Sequence, residues 1–261
     1  MILESEFEEK IVREVGITGN GAHVFVPKEW MGEKVVLIRI PKQSLKKKII
    51  SVLEPYLDKI AGVYLAGSHA RNEAEKDSDI DLLVVSSEKI FIKKEGFEII
   101  CLKRDKISGA IKISPVFVYS LIYEAKPIIN KELLEELKTE HRPKITDFTE
   151  YLKETERIIK INKELLESER GEFLEEDAII YSLILRLRGI FFIKCLIKKI
   201  NYTKKLFEKW VLSKVENIDY EKIYRAYNNS KRNLKTREKV RVKDLKLILE
   251  LLKKETKALK K

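Results

Sequence analysis

The sequence predicts an α+β protein in three parts. These are a small β-hairpin module over residues 1–42, an α/β domain with a mixed sheet over 43–140, and an all-α bundle over 141–261. Three observations predict it. Short apolar runs of strand character alternate with helical stretches between 43 and 140. From Thr146 onward the apolar period is helical almost throughout. Near the start, Gly19-Asn20-Gly21 separates two apolar runs, which is a strong hairpin signal.

The first module reads as strands over 10–18 and 22–26, a stop at Pro27, a helical turn over 28–32 and a third strand over 35–40. So short a piece has little core of its own and needs the rest of the chain or a second copy to cover it. Ser44 caps a helix from Leu45 to Ile60, with Leu45, Ile49, Val52, Leu53 and Leu57 on one stripe. Pro55 kinks or splits that helix. Val63 to Ala66 is a buried strand, a second strand running up to Val85 carries both Asp79 and Asp81, and Gly96 to Leu102 is a third. In the third strand Glu98, Ile100 and Leu102 share one face. A helix starts at Pro115, residues 124–130 form a short strand or turn, and 131–138 is a helix. Five helices follow, over 146–168, 174–200, 203–215, 219–230 and 242–258, with Asp147, Thr203, Asp219 and Asp244 near their starts. The domain boundary falls in 139–145, around Pro143.

The chain has 261 residues and a net charge of +11, which suits a polyanionic partner such as a nucleoside triphosphate or nucleic acid. The excess is concentrated at the end: residues 230–261 hold thirteen Lys or Arg against four acids. A solvated helix face accounts for that run equally well. Cys101 and Cys195 are too few for a disulfide framework or a zinc site, which with the lack of a signal-peptide pattern points to the cytoplasm. The most apolar stretch, 178–200, carries Arg186, Arg188, Lys194, Lys198 and Lys199, too much charge for a membrane span.

The stretch from Val63 to Val85 carries the chemistry. Gly67 permits a tight turn and a close backbone approach to a ligand. Ser68 follows where a helix N-terminus offers free N–H groups to phosphate oxygens. Asp79 and Asp81 lie two apart at a strand, on one face and roughly 7 Å apart along the chain. Like charges that close disfavour joint ionisation unless a cation lies between them. A pair of divalent ions such as Mg²⁺ answers this, because hard cations take carboxylate and phosphate oxygens together.

Ala66-Gly67-Ser68-His69-Ala70-Arg71, followed by Ser78-Asp79-Ile80-Asp81 and an apolar strand, resembles the DNA polymerase β-type nucleotidyltransferase superfamily. The resemblance extends more loosely through Glu124 to Asn130 and into the helical half. It implies that Gly67 and Ser68 hold the terminal phosphates of ATP or another nucleoside triphosphate. It implies that Asp79 and Asp81 hold two Mg²⁺ ions, and that a hydroxyl of a protein, RNA or small molecule accepts the nucleotide. Arg71 meets phosphate or pairs with Asp77 or Asp79. Such enzymes have a third carboxylate on the neighbouring strand, and Glu98 is the candidate, although many relatives have Asp there. Asn72 stands where many relatives have Gly, and Asn tolerates left-handed backbone better than most residues.

Gly16 to Trp30 with Gly32 to Leu37 resembles the swapped-hairpin modules of AbrB-type regulators, which implies a homodimer. Contact with nucleic acid would use Arg13, Lys28, Lys34 and Arg39. The helical half resembles the C-terminal bundles of nucleotidyltransferases, some of them related to HEPN domains. The ribonuclease site of those domains needs a His four to six residues after an Arg, and no such pair occurs here. Tyr181, Arg186, Arg188, Tyr224, Arg225 and Tyr227 are candidates to face the acceptor, with core packing the alternative for the aromatics. Two functions stay open: a metal-dependent nucleotidyltransferase, or a dimeric nucleic-acid-binding, antitoxin-like regulator with a weak catalytic core.

Overall fold

The computed structural model describes residues 9, 11–38, 44–76, 78–174, 178–232, 234 and 238–260. The chain divides into two compact units, residues 1–44 and 45–261.

In the first unit β1 (Gly16–Thr18) pairs antiparallel with β2 (Gly21–His23) across the two-residue turn Gly19-Asn20. Gly19 has φ +52°, a conformation that favours glycine in tight hairpin turns. Pro27 ends the extended run and opens a single helical turn, Lys28–Trp30. The strands are shorter than the sequence predicts, and Lys10 lies outside the described residues. The third strand does not form: 33–38 has no regular structure, and 39–40 lies outside the described residues. No described residue of this unit is buried, so no core draws that segment into a sheet.

The second unit is built on a four-stranded mixed sheet in the order β5-β4-β3-β6. Its strands are β3 (Ile60–Leu65), β4 (Ile80–Ser86), β5 (Phe97–Lys103) and β6 (Lys126–Ile129). The centre, β3, runs antiparallel to β4 and β6, and β4 runs parallel to β5. Helix α1 (Leu45–Leu53) stops where Pro55 removes a donor, and the chain continues as a 3₁₀ segment, Glu54–Lys59. That change of period rotates Leu57 out of the predicted stripe, and it is exposed. Ile49 and Leu53 cover one face of the sheet, against Val63, Leu65, Leu82 and Val84.

The other face carries Tyr64, Leu83 and Val85 into a larger core. Three helices contribute there: α3 (Ile107–Ile113), α4 (Pro115–Tyr123) and α5 (Lys131–Glu140). Of these α3 is not predicted by the sequence analysis, because its seven residues are too few to show a helical period. Asn130, at φ +61°, caps α5 by accepting from Leu133 N and donates to Ala61 O, fixing the helix to the centre of the sheet.

The same core continues into the helical half, α6 (Thr149–Ser168), α7 (Ala178–Ile197), α8 (Lys204–Leu212), α9 (Tyr220–Lys231) and α10 (Val242–Leu259). Thr203 and Asp219 cap α8 and α9 as their positions predict. Helix α7 is buried on most sides, as its near-continuous apolar sequence requires. Among the described residues no helix is long and apolar enough to cross a membrane.

Candidate active site

The turn after β3 is fixed by what lies beneath it. Ala66 N donates to Asp81 O at 2.8 Å, so the chain leaves β3 still paired to β4. Gly67 then takes φ +60° and opens α2 (Gly67–Ala70), a single helical turn. A Cβ on Gly67 would collide with the Asp81 carboxylate. Glycine is thus required twice, by the backbone conformation and by the close approach. The turn is closed by Glu73 N donating to Ser68 O at 2.8 Å and by Asn72, at φ +58°, donating from N to His69 O at 3.3 Å. Asn72 therefore occupies the left-handed conformation its residue type tolerates.

Strand register sets the carboxylates. Asp81 is the direct partner of Glu98 in the parallel pair β4·β5. Both side chains point to the face shared with Leu83 and Ile100, toward the helical half. Partial burial pushes the Asp81 carboxyl up to about 6, and the charge of Glu98 and a hydrogen bond shared with it add to the rise. Asp79, expected inside the strand with Asp81, lies one residue before β4, where the chain is only entering the sheet, and is exposed. Among the described residues no three acids, histidines or cysteines come together as a metal cage. The structure therefore brings Asp81 and Glu98 together and leaves Asp79 outside that pair. Two adjacent carboxylates beside a glycine turn are a donor set that fits a hard divalent cation.

Arg71 does not pair with Asp79, and Asp77 lies outside the described residues. Its Nε donates to Glu73 Oε2 at 2.8 Å, and its Nη1 pairs with Glu124. Burial works against the Arg71 charge, but Glu124 and Glu73 outweigh it and raise the guanidinium above its ordinary value. Burial raises the Glu124 carboxyl, and Arg71 opposes the rise. Of the two roles open to Arg71 in the sequence, phosphate contact or an ion pair, the structure shows the ion pair, with Glu73 and Glu124 as the partners. His69 Nε2 lies 3.3 Å from Ser78 O, linking the turn to the approach of β4.

The helical half closes on this side of the sheet. Arg188 donates from Nε to Tyr202 OH at 3.1 Å and from Nη1 to Tyr227 OH at 2.7 Å. The Arg71 guanidinium lies 5.5 Å from the Tyr202 ring, and Lys204 Nζ lies 4.8 Å from the Tyr224 ring. Lys231, at the end of α9, is close enough to lower the Asp81 carboxyl against its other influences. Of the residues proposed to face an acceptor, Tyr224, Tyr227 and Arg188 belong to this cluster, and Tyr181 stacks on Tyr227. Arg186 instead pairs with Glu154 over the Tyr151 ring, and Arg225 pairs with Glu221 and Glu238. Sequence reasoning missed Glu73, Glu124, Tyr202, Lys204 and Lys231. The one local signal was Glu73, two residues beyond Arg71.

Residues 47–139 match the family described as Polymerase beta, Nucleotidyltransferase. That segment, which holds the Gly-Ser turn and the carboxylate strands, is a polymerase β-type nucleotidyltransferase domain. Among solved structures the chain is similar to spectinomycin adenyltransferase AAD(9) from Enterococcus faecialis, crystallised with ATP and spectinomycin. That match has 17% identity over 81% of this chain and 97% of the other, with a TM-score of 0.46. It is also similar to a nucleotidyltransferase-like protein from Exiguobacterium sibiricum, with 13% identity over 82% of this chain and 75% of the other, and a TM-score of 0.35. No curated protein matches the chain.

Proposed function

We propose that the protein transfers a nucleoside monophosphate from ATP to a hydroxyl of a protein, RNA or small-molecule acceptor, with Asp79, Asp81 and Glu98 serving Mg²⁺. The observation that carries the proposal is the Asp81–Glu98 pair directly beneath the Gly67 turn. Gly67 N–H and the Ser68 hydroxyl hold the terminal phosphates, which arrive beside the carboxylates because the turn and β4 are joined through Ala66 N and Asp81 O. Asp81 and Glu98 would hold Mg²⁺ between them, and Asp79, which stands outside that pair, would join as a ligand only by turning toward it. When bound, the cations neutralise charge on the triphosphate and its leaving group. Glu98 is the more exposed of the paired acids, so it is placed to take the acceptor's proton on an Oε. The acceptor oxygen bonds to the α-phosphorus, the bond from that phosphorus to the bridging oxygen breaks, and pyrophosphate leaves.

The experiment is incubation with α-labelled ATP, Mg²⁺ and a pool of total RNA, protein and metabolites. Label moves to an acceptor in the wild type, and the Asp79→Ala, Asp81→Ala double variant moves none. Equal transfer by that variant would refute the proposal.

The module over 1–42 serves as a dimerisation element. Val15, Ile17, Phe25, Met31, Leu37 and Ile38 are all exposed in it, an apolar surface that supports cover by a second copy. Light scattering on the full chain tests this: a dimer is expected, with Ile17→Lys plus Phe25→Glu giving a monomer. A wild-type monomer removes the reading.

A further inference from the structure

The two oxygens of Glu73 hold different parts of the molecule. Oε2 accepts from Arg71 Nε at 2.8 Å, within the segment that follows α2. Oε1 accepts from Lys204 N at 2.6 Å, at the first residue of α8. That amide is one of the helix's unpaired N-terminal donors, where a carboxylate is held by hydrogen bond and helix dipole together. Thr203 takes the Leu206 amide of the same turn at 3.0 Å. The backbone of Glu73 meanwhile closes the Gly67–Ser68 turn through Ser68 O.

Neighbouring contacts run in the same direction. The Arg71 guanidinium stands over Tyr202, two residues before α8. Glu75 pairs with Arg232, just beyond α9, at 3.1 Å. Segment 71–75 is therefore held by the helical half at three points; Arg71 N and Glu73 N both close the turn, on Gly67 O at 3.2 Å and Ser68 O at 2.8 Å, and of the two Glu73 also takes a backbone amide of α8.

We infer that Glu73 is a positioning residue that couples the docking of α8 to the shape of the Gly67–Ser68 turn, so that nucleotide affinity is set from the helical half. The nucleotide part of this inference rests on the proposed function; the coupling does not. An acceptor seated against α8 would then be sensed at the phosphate turn through one carboxylate.

Hydrogen exchange on the full, ligand-free chain tests the coupling. Loss of a hydrogen bond to a charged group should speed local exchange about tenfold. Glu73→Ala is expected to do so in peptides spanning 67–74 and 203–208 together, with α6 unchanged. Glu73→Gln keeps an acceptor for Lys204 N and should restore the 203–208 peptide. Wild-type exchange over 67–74 in Glu73→Ala would overturn the coupling, as would general loosening that includes α6. With ATP, Glu73→Ala should raise KM about tenfold with kcat within about twofold. A fall in kcat at unchanged KM would overturn the positioning role. A wild type that does not turn over ATP counts against the transfer reading, and the exchange result then decides the coupling alone.

Discussion

Asp81 and Glu98 face each other across the parallel pair β4 and β5, and partial burial, with the like charge of Glu98 adding to it, pushes the Asp81 carboxyl up to about 6. That arrangement costs stability and is retained where chemistry needs it.

Glu98→Gln removes the group proposed to accept the acceptor's proton. The expected loss in kcat is about 10²–10⁴-fold, the usual contribution of a general base, with little change in KM for ATP. Steady-state rates of pyrophosphate release check it. An unchanged kcat would move the base elsewhere.

The raised Asp81 carboxyl predicts a pH-dependent stability. Its folded value of about 6 exceeds the unfolded one of 3.8, so the folded state binds more protons between them. Stability is therefore lost as pH rises through that window, and the penalty is constant above it. Asp81→Asn should gain on wild type by about 1–2 kcal/mol between about pH 4 and pH 7 in metal-free buffer, after allowance for partial exposure. Urea unfolding at both pH values measures the difference.

Mg²⁺ should relieve the same repulsion. At pH 8 the wild type's Tm is expected to rise with added Mg²⁺, since a ligand bound by the folded state alone stabilises it. Asp81→Asn should show a clearly smaller rise. Equal shifts in both proteins would place Mg²⁺ binding elsewhere.

Gly67→Ala forces a side chain into the Asp81 carboxylate at a φ of +60°. A cost of about 1–3 kcal/mol is expected, with loss of transfer. Asn72→Ala, at φ +58°, carries the backbone strain and loses the hydrogen bond from Lys126 Nζ to Asn72 Oδ1, but without that clash, and a smaller loss is expected. Chemical denaturation of both variants makes the comparison.

Arg188→Met leaves the hydroxyls of Tyr202 and Tyr227 without their charged donor. Each such bond contributes about 1.5–3 kcal/mol, so a destabilisation in the upper part of that range is expected for the variant. Thermal unfolding reads it, and a neutral effect would show that the guanidinium's desolvation had cancelled both bonds.

What the sequence made legible is local or periodic. Gly67 and Asn72 reveal their backbone conformations through residue type, and Pro55 marks where α1 ends. Glu98 could be singled out because an acid inside an apolar strand needs a partner, and the register shows Asp81 to be that partner. The contacts that complete the site are of another kind. Glu73 meets Lys204, and Arg71 meets Tyr202 and Glu124, across sequence separations that no spacing rule covers. An ion pair was legible as one role for Arg71, but its partners, Glu73 and Glu124 rather than Asp77 or Asp79, are assembled only in the fold. The third N-terminal strand was expected from β-branched residues at 35–40, but β propensity without a surface to pack on does not make a strand.

The most direct test is transfer from α-labelled ATP by wild type, Asp81→Asn and Glu98→Gln, each confirmed folded by circular dichroism. Mg²⁺-dependent labelling of an acceptor is expected of the wild type, with losses of at least about 100-fold in both variants. Labelling by Asp81→Asn at the wild-type rate would contradict that expectation.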